Sequence, residues 1–308
     1  MFDLMNAGKI RTAFLFPLLI CVFTFAPTTV RAQLTPKQAR TAITTTPGFK
    51  LKNGSVRVKA ISVMSGAATE VTAEIRTVFR FEANKEGVWR VAEIRSGQDT
   101  WESIELIANA LKTSVATGEC TAPDPMFKGK AILDPSVKRA RCLLGSLLGV
   151  EVPSDAVRIQ EVVPMPIPLS SEPSATVVAW LKVDARLVND KGWRVSELRT
   201  GTRDWVKLAP LVAALNEEKQ KLARKELELI ATALEKFRRD RGSYVVSDKQ
   251  AVAIDYLTPR YLVQVIRVDP WHQPYKYLGE RDHFTLRSAG PDGKADTPDD
   301  IQLTGASR

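Results

Sequence analysis

The chain has 308 residues, 44% hydrophobic and 26% charged, with 44 Lys and Arg against 35 Asp and Glu for a net charge of +9. That composition is globular, which excludes a disordered, collagenous or multi-pass membrane chain, and the length predicts two or three domains. With only two histidines, His272 and His283, and three cysteines, Cys21, Cys120 and Cys142, no Cys/His zinc finger can be written, and no histidine-based acid or triad can lie before Trp271.

The N-terminus reads as an export signal. Lys9 and Arg11 precede an apolar stretch, 12–30, that ends in Val30-Arg31-Ala32 and places a cleavage between Ala32 and Gln33. Pro17 and Pro27 interrupt the stretch and argue against an uncleaved anchor, which needs about 20 apolar residues. Contact with a membrane is expected only through this segment, were it retained. Its removal takes away three cations and Asp3 and leaves +7. It also takes away Cys21, so Cys120 and Cys142 are a candidate disulfide in an exported, periplasmic or secreted chain, with two free thiols as the alternative.

An internal repeat follows. Trp89-Arg90-Val91-Ala92-Glu93-Ile94-Arg95-Ser96-Gly97 matches Trp193-Arg194-Val195-Ser196-Glu197-Leu198-Arg199-Thr200-Gly201 at an offset of 104, and Trp101 matches Trp205. Upstream, residues 71–76 match 177–182 at an offset of 106, the shift falling in the Asn- and Gly-containing turns. Each copy predicts an opening helix (35–45 and 134–148), a strand (56–62 and 157–163), a long alternating strand (70–82 and 176–188) and a hairpin turn into the Trp-Arg-Val strand. A closing helix is expected near Thr100 and Asp204, with Trp101 and Trp205 in its first turn. This is an α+β arrangement of two helix-plus-antiparallel-sheet modules, with an element order similar to cystatin-like or nuclear-transport-factor-like folds. The expected boundaries are a signal at 1–32, module one at 33–115, a linker at 116–132, module two at 133–216 and a C-terminal domain at 217–308. A second low-order stretch, 164–173, carries four prolines.

Strand alternation puts Trp89, Glu93 and Arg95 on one face, and likewise Trp193, Glu197 and Arg199. These six form a candidate ligand face; the plainer reading is a packed Trp beside a cross-strand Glu/Arg pair, because no nucleophile or base accompanies them.

Module two's closing helix continues to about Asp240, with Leu208, Leu211, Leu215, Leu222, Leu234 and Phe237 on one stripe. Mixed charges on its outer face argue against a nucleic-acid groove. After it come Arg239-Asp240-Arg241-Gly242-Ser243-Tyr244, then Asp269-Pro270-Trp271-His272-Gln273-Pro274-Tyr275, then Gly290-Pro291-Asp292-Gly293 and Asp299-Asp300-Ile301. This ordered set resembles the soluble part of the major pseudopilin of type II secretion systems over about 217–301. The resemblance implies a long helix followed by a small β-domain, a non-enzymatic role, and envelope or secretion-system proteins as partners. It also implies calcium, held by Asp292, Asp299, Asp300 and the Ala289 carbonyl, with Asp296 less well placed. Oxygen-rich, Gly-containing loops suit that ion in their own right. The family's long apolar N-terminal helix has no counterpart ahead of residue 204, where the two modules stand instead. The sequence therefore predicts an exported, non-catalytic protein that assembles with secretion or pilus-like machinery, or alternatively a ligand-binding protein built on the duplicated modules. An Asp/Glu hydrolase ranks last, having no paired-carboxylate signature.

Overall fold

A computed structural model describes residues 33–49, 51–52, 54–64, 68–85, 87–113, 120, 135–151, 155–165 and 173–306. The expected signal with Ala32, the linker apart from Cys120, and most of the proline-rich insert lie outside them.

The first repeat runs α1 (Pro36–Thr44), β1 (Val56–Val63), β2 (Ala68–Ala83), β3 (Trp89–Arg95), β4 (Trp101–Ser103) and α2 (Ile104–Ala110). The second runs α3 (Val137–Leu148), β5 (Val157–Pro164), β6 (Ser174–Asn189), β7 (Trp193–Arg199), β8 (Val206–Lys207) and α4 (Leu208–Arg241). Helix starts follow from their caps: Thr35 and Gln38 form a reciprocal capping box, and the Ser136 hydroxyl accepts from the Arg139 N–H. Trp101 and Trp205 do not sit in helices as expected. Trp101 opens β4, Trp205 directly precedes β8, and α2 starts only after the Ser103 cap.

The fold is α+β, as the patterning predicts, but the two repeats share one eight-stranded antiparallel sheet. β2 and β6 pair continuously from Ala68↔Val188 to Glu82↔Ser174. β1 and β3 line the free edge of β2, and β5 and β7 line the free edge of β6. Equivalent residues Ile75 and Leu181 face each other, so a pseudo-twofold axis passes between them, as in an isologous dimer.

Neither module packs alone. α1 rests on its own β1 and on β7 of the other copy, while α3 rests on β5 and on β3. One core combines Phe79, Phe81, Trp89 and Ile104 of the first repeat with Leu143, Leu144, Val157 and Val177 of the second. The other combines Ala39, Ile43, Val56 and Val71 with Leu187, Val195 and Leu208. Cys120 and Cys142 are bonded, tying the segment after α2 to α3.

α4 runs unbroken through the expected boundary at 216/217 and ends at Gly242, whose φ of +81° a side chain would resist. Its first turn belongs to the repeat core. Ala223, Leu227, Ile230 and Leu234 belong to a third core with α5 (Gln250–Leu257) and a sheet of β9 (Lys276–Gly279), β10 (His283–Ser288) and β11 (Ile301–Ala306).

The disulfide closes a sequence separation of 22 residues, for which chain entropy gives about 3 kcal/mol. Reductant, or Cys120→Ser, should lower the melting temperature by roughly 5–10 °C. A Cys120→Ser variant that melts with the wild type would show that the bond does not support the fold.

Candidate functional site

The candidate ligand face does not form. In β3, Val91 pairs with Phe81 and Glu93 with Arg80, leaving Ala92 as an extra residue; in β7 Ser196 is extra in the same way. Such a bulge reverses the side to which the following residues point. Trp89 and Val91 therefore face the helices, Trp89 being 1% exposed, while Glu93 and Arg95 emerge on the opposite face. Trp193 packs against the helix-side core, and Glu197 and Arg199 point away from it.

On that outer face each copy builds a stack. Arg80 and Arg95 lie over the Trp101 ring, at 4.6 and 4.8 Å, and Arg186 and Arg199 over Trp205, at 4.0 and 4.5 Å. Arg80 pairs with Glu93, and Arg186 with Glu197 at 2.8 Å. Burial pushes the Glu93 carboxyl above its ordinary value, against the pull of Arg80. The shared offsets of Arg80 with Arg186 and of Trp101 with Trp205 carried this signal in the sequence.

A second cluster joins the repeats to the C-terminal domain. Lys219 on α4 reaches Glu102 on β4 at 2.7 and 2.8 Å, and the two are 5% and 7% exposed. His272 Nε2 stands 3.4 Å from the same carboxylate, and the Trp271 indole donates to Asn216 at 3.0 Å. Burial pushes the Glu102 carboxyl up, but hydrogen bonds from His272 and Lys219, with their charge, more than offset it and hold it below the ordinary value. Nothing in the sequence marks Glu102 except comparison with the other copy, where Val206 holds the same place.

The third cluster is the loop from Ala289 to Asp300. Its entry is fixed by Asp269, 2% exposed, which accepts from the Trp271 and Gln273 N–H groups and from the Ser288 hydroxyl. Asp299 accepts from the Asp292 N–H at 3.1 Å and from Thr297 at 2.7 Å; the Thr297 hydroxyl and then that backbone N–H hold its carboxyl below the ordinary value. Asp300 accepts from the Asp296 N–H at 2.8 Å. Arg287 binds Asp296 and lies 3.3 Å from Asp300. Gly290, at φ +63°, leaves no room for a Cβ, which would strike the Asp299 carbonyl and carboxylate. The loop gathers carboxylates, the donor type that a hard cation such as calcium takes, but their oxygens are turned to backbone N–H groups, Thr297 and Arg287. Asp292, Asp299 and Asp300 do not converge as a metal cluster; among the described residues the side chains that do are Glu280, Asp282 and His283, exposed on the β9–β10 hairpin.

A helix leading into this turn, sheet and loop defines the C-terminal segment. Residues 210–304 match the family Type II secretion system (T2SS), protein G. The protein G match begins inside α4 and ends in β11, and it covers under a third of the chain. No curated protein and no solved structure matches. Among the described residues no helix is long and apolar enough to cross a membrane.

Breaking the buried pair with Glu102→Ala leaves Lys219 uncompensated and should cost about 3–5 kcal/mol, whereas Glu102→Val with Lys219→Met should be near neutral or stabilising. The lowered Glu102 pKa adds stability that is present above the unfolded carboxylate value and is lost as pH falls through the folded one. Denaturation of wild type and double variant across pH 3–7 checks both, because the wild type should fall increasingly behind the double variant as pH drops through the folded Glu102 value.

Proposed function

We infer that this is an exported, non-enzymatic envelope protein that assembles with secretion or pilus-like machinery through its protein G-like segment. The observation that carries the reading is the family match over residues 210–304. The unbroken α4, which anchors one end in the repeats and builds the matched domain with the other, supports a role in which the repeats are presented by that domain. A working system needs this chain if the reading holds. Its deletion should impair secretion or pilus assembly, and the full chain should cross-link in envelope fractions to subunits of that machinery. Unimpaired secretion together with no cross-link would remove the role.

Calcium belongs to the same reading. Asp292, Asp299, Asp300 and the Ala289 carbonyl are the ligands, and Arg287 must release Asp300 as the ion enters. The support is the oxygen-only chemistry of these four donors, gathered in one Gly-containing loop that the close approach of Gly290 to Asp299 folds back on itself. An ion bound only by the folded state stabilises it by about 2.7 kcal/mol at one hundred times its Kd. Melting in calcium should therefore exceed melting in chelator by several degrees. Asp292→Ala should abolish the difference, and Asp255→Ala, at an exposed carboxylate paired with Arg267, should retain it. Identical wild-type curves rule the site out.

A further inference from the structure

The two Arg–Trp–Arg stacks are not equally neutralised. In the second copy, Arg199 binds Asp184 at 2.9 Å and lies 3.7 Å from Glu70, while Arg186 binds Glu197 and lies 3.8 Å from Glu70. Two guanidiniums there share three carboxylates. The pseudo-twofold axis carries Asp184 onto Val78 and Glu70 onto Thr176, at the offset of 106. In the first copy, therefore, only Glu93 remains, and it is bound to Arg80. Arg95 keeps its seat on Trp101 but has no carboxylate among the described residues.

At that place the outer face is dented. A depression of about 290 Å³ is lined by Arg76, Arg95, Val78, Val178, Val163 and Thr176, among others, with Lys52 a further cation in its wall. Among the described residues no carboxylate lines it. Val78 and Thr176, which stand for the missing acids, are part of its wall. Arg76 is held by Gln160 at 2.8 Å, which orients the guanidinium without neutralising it. The second copy shows what the arginine of this motif grips when it is satisfied.

We propose that the depression beside Arg95 is a binding site for a carboxylate ligand, whose acid group takes the position that Asp184 occupies on Arg199. The guanidinium fork matches a carboxylate in bidentate fashion, and Trp101 holds it in place beforehand, which limits the entropy lost on binding. The paired Val78 and Val178 give an apolar floor for the carbon skeleton next to the acid. A short skeleton with two acids fits best, because two carboxylates are missing. This inference does not depend on the secretion role; either can fail without the other.

The test is calorimetric titration of the full mature chain with two probes, free glutarate and the capped tripeptide Glu-Val-Glu. Binding by glutarate alone assigns a small dicarboxylate, and tighter binding by the tripeptide assigns an acidic segment of a partner protein. Arg95→Gln should weaken whichever binds by about tenfold or more, the loss expected for a hydrogen bond to a charged group, and added salt should weaken it further. Arg194→Gln, an exposed cation that pairs with Asp190 elsewhere, should leave affinity unchanged. Val78→Asp supplies the acid from within and should abolish binding while the circular dichroism stays native. Should that variant unfold, Thr176→Glu serves the same purpose. No binding by either probe, or binding indifferent to both Arg95→Gln and the internal acid, overturns the proposal.

Discussion

The antiparallel ladder between β2 and β6 is the constraint on which the rest of the molecule depends. Alternate residues of each strand point to opposite sides, so its register sends Val71, Phe79 and Phe81 with Val177 and Leu187 under the helices. The same register sends Glu70, Arg80 and Arg186 outward. A slip of one residue would exchange the two sets. Because Ile75 meets Leu181, each helix must cover strands from both copies. Either repeat alone would leave half of each core exposed, and the long edge of β2 or β6 would stand unpaired, open to pairing with another chain.

The C-terminal domain breaks this symmetry in one place and then exploits the break. α2 stops at Ala110, whereas its counterpart continues to Arg241, a rise of roughly 50 Å at 1.5 Å per residue. The extension leaves the second repeat but returns to the first, where Lys219 finds Glu102. A buried ion pair of this kind adds little net stability over an apolar pair, since desolvation consumes most of the Coulomb gain. It does penalise every arrangement in which either charge is buried alone. Val206, the equivalent of Glu102, directly precedes α4, so the charge that Lys219 meets is carried by the first copy alone of the two equivalent positions.

Much of this was legible in the sequence because it is local. The repeated Trp-Arg-Val strand, the capped helix starts, the long amphipathic α4 and the Asp-Pro-Trp turn each announce themselves within about fifteen residues. The bulges at Ala92 and Ser196 do not. Both are small residues in strands that otherwise alternate, so period-2 counting runs through them and puts Glu93 on the wrong face. The exchange of α1 and α3 between the copies was equally hidden, because it depends on a pairing between strands about a hundred residues apart. Trp101 misled for a third reason: the sequence starts the helix near Thr100, and only pairing with β3 decides that the chain stays extended until Ser103.

A duplication inside one chain frees equivalent positions to diverge, and the divergence here is not spread evenly. The second copy keeps a complete network, in which Asp184, Glu70 and Glu197 neutralise Arg186 and Arg199. It behaves as structure. The first copy carries Glu102, which receives the C-terminal domain, and has Val78 and Thr176 where acids would complete its own network. A purely structural stack gains from carboxylates supplied by its own chain, since a partly buried arginine without them bears a desolvation cost. The first copy nevertheless retains Arg95, seated on Trp101 beside a dent that no acid fills. On the face that the helices leave open, the network is therefore closed in the second copy and open in the first.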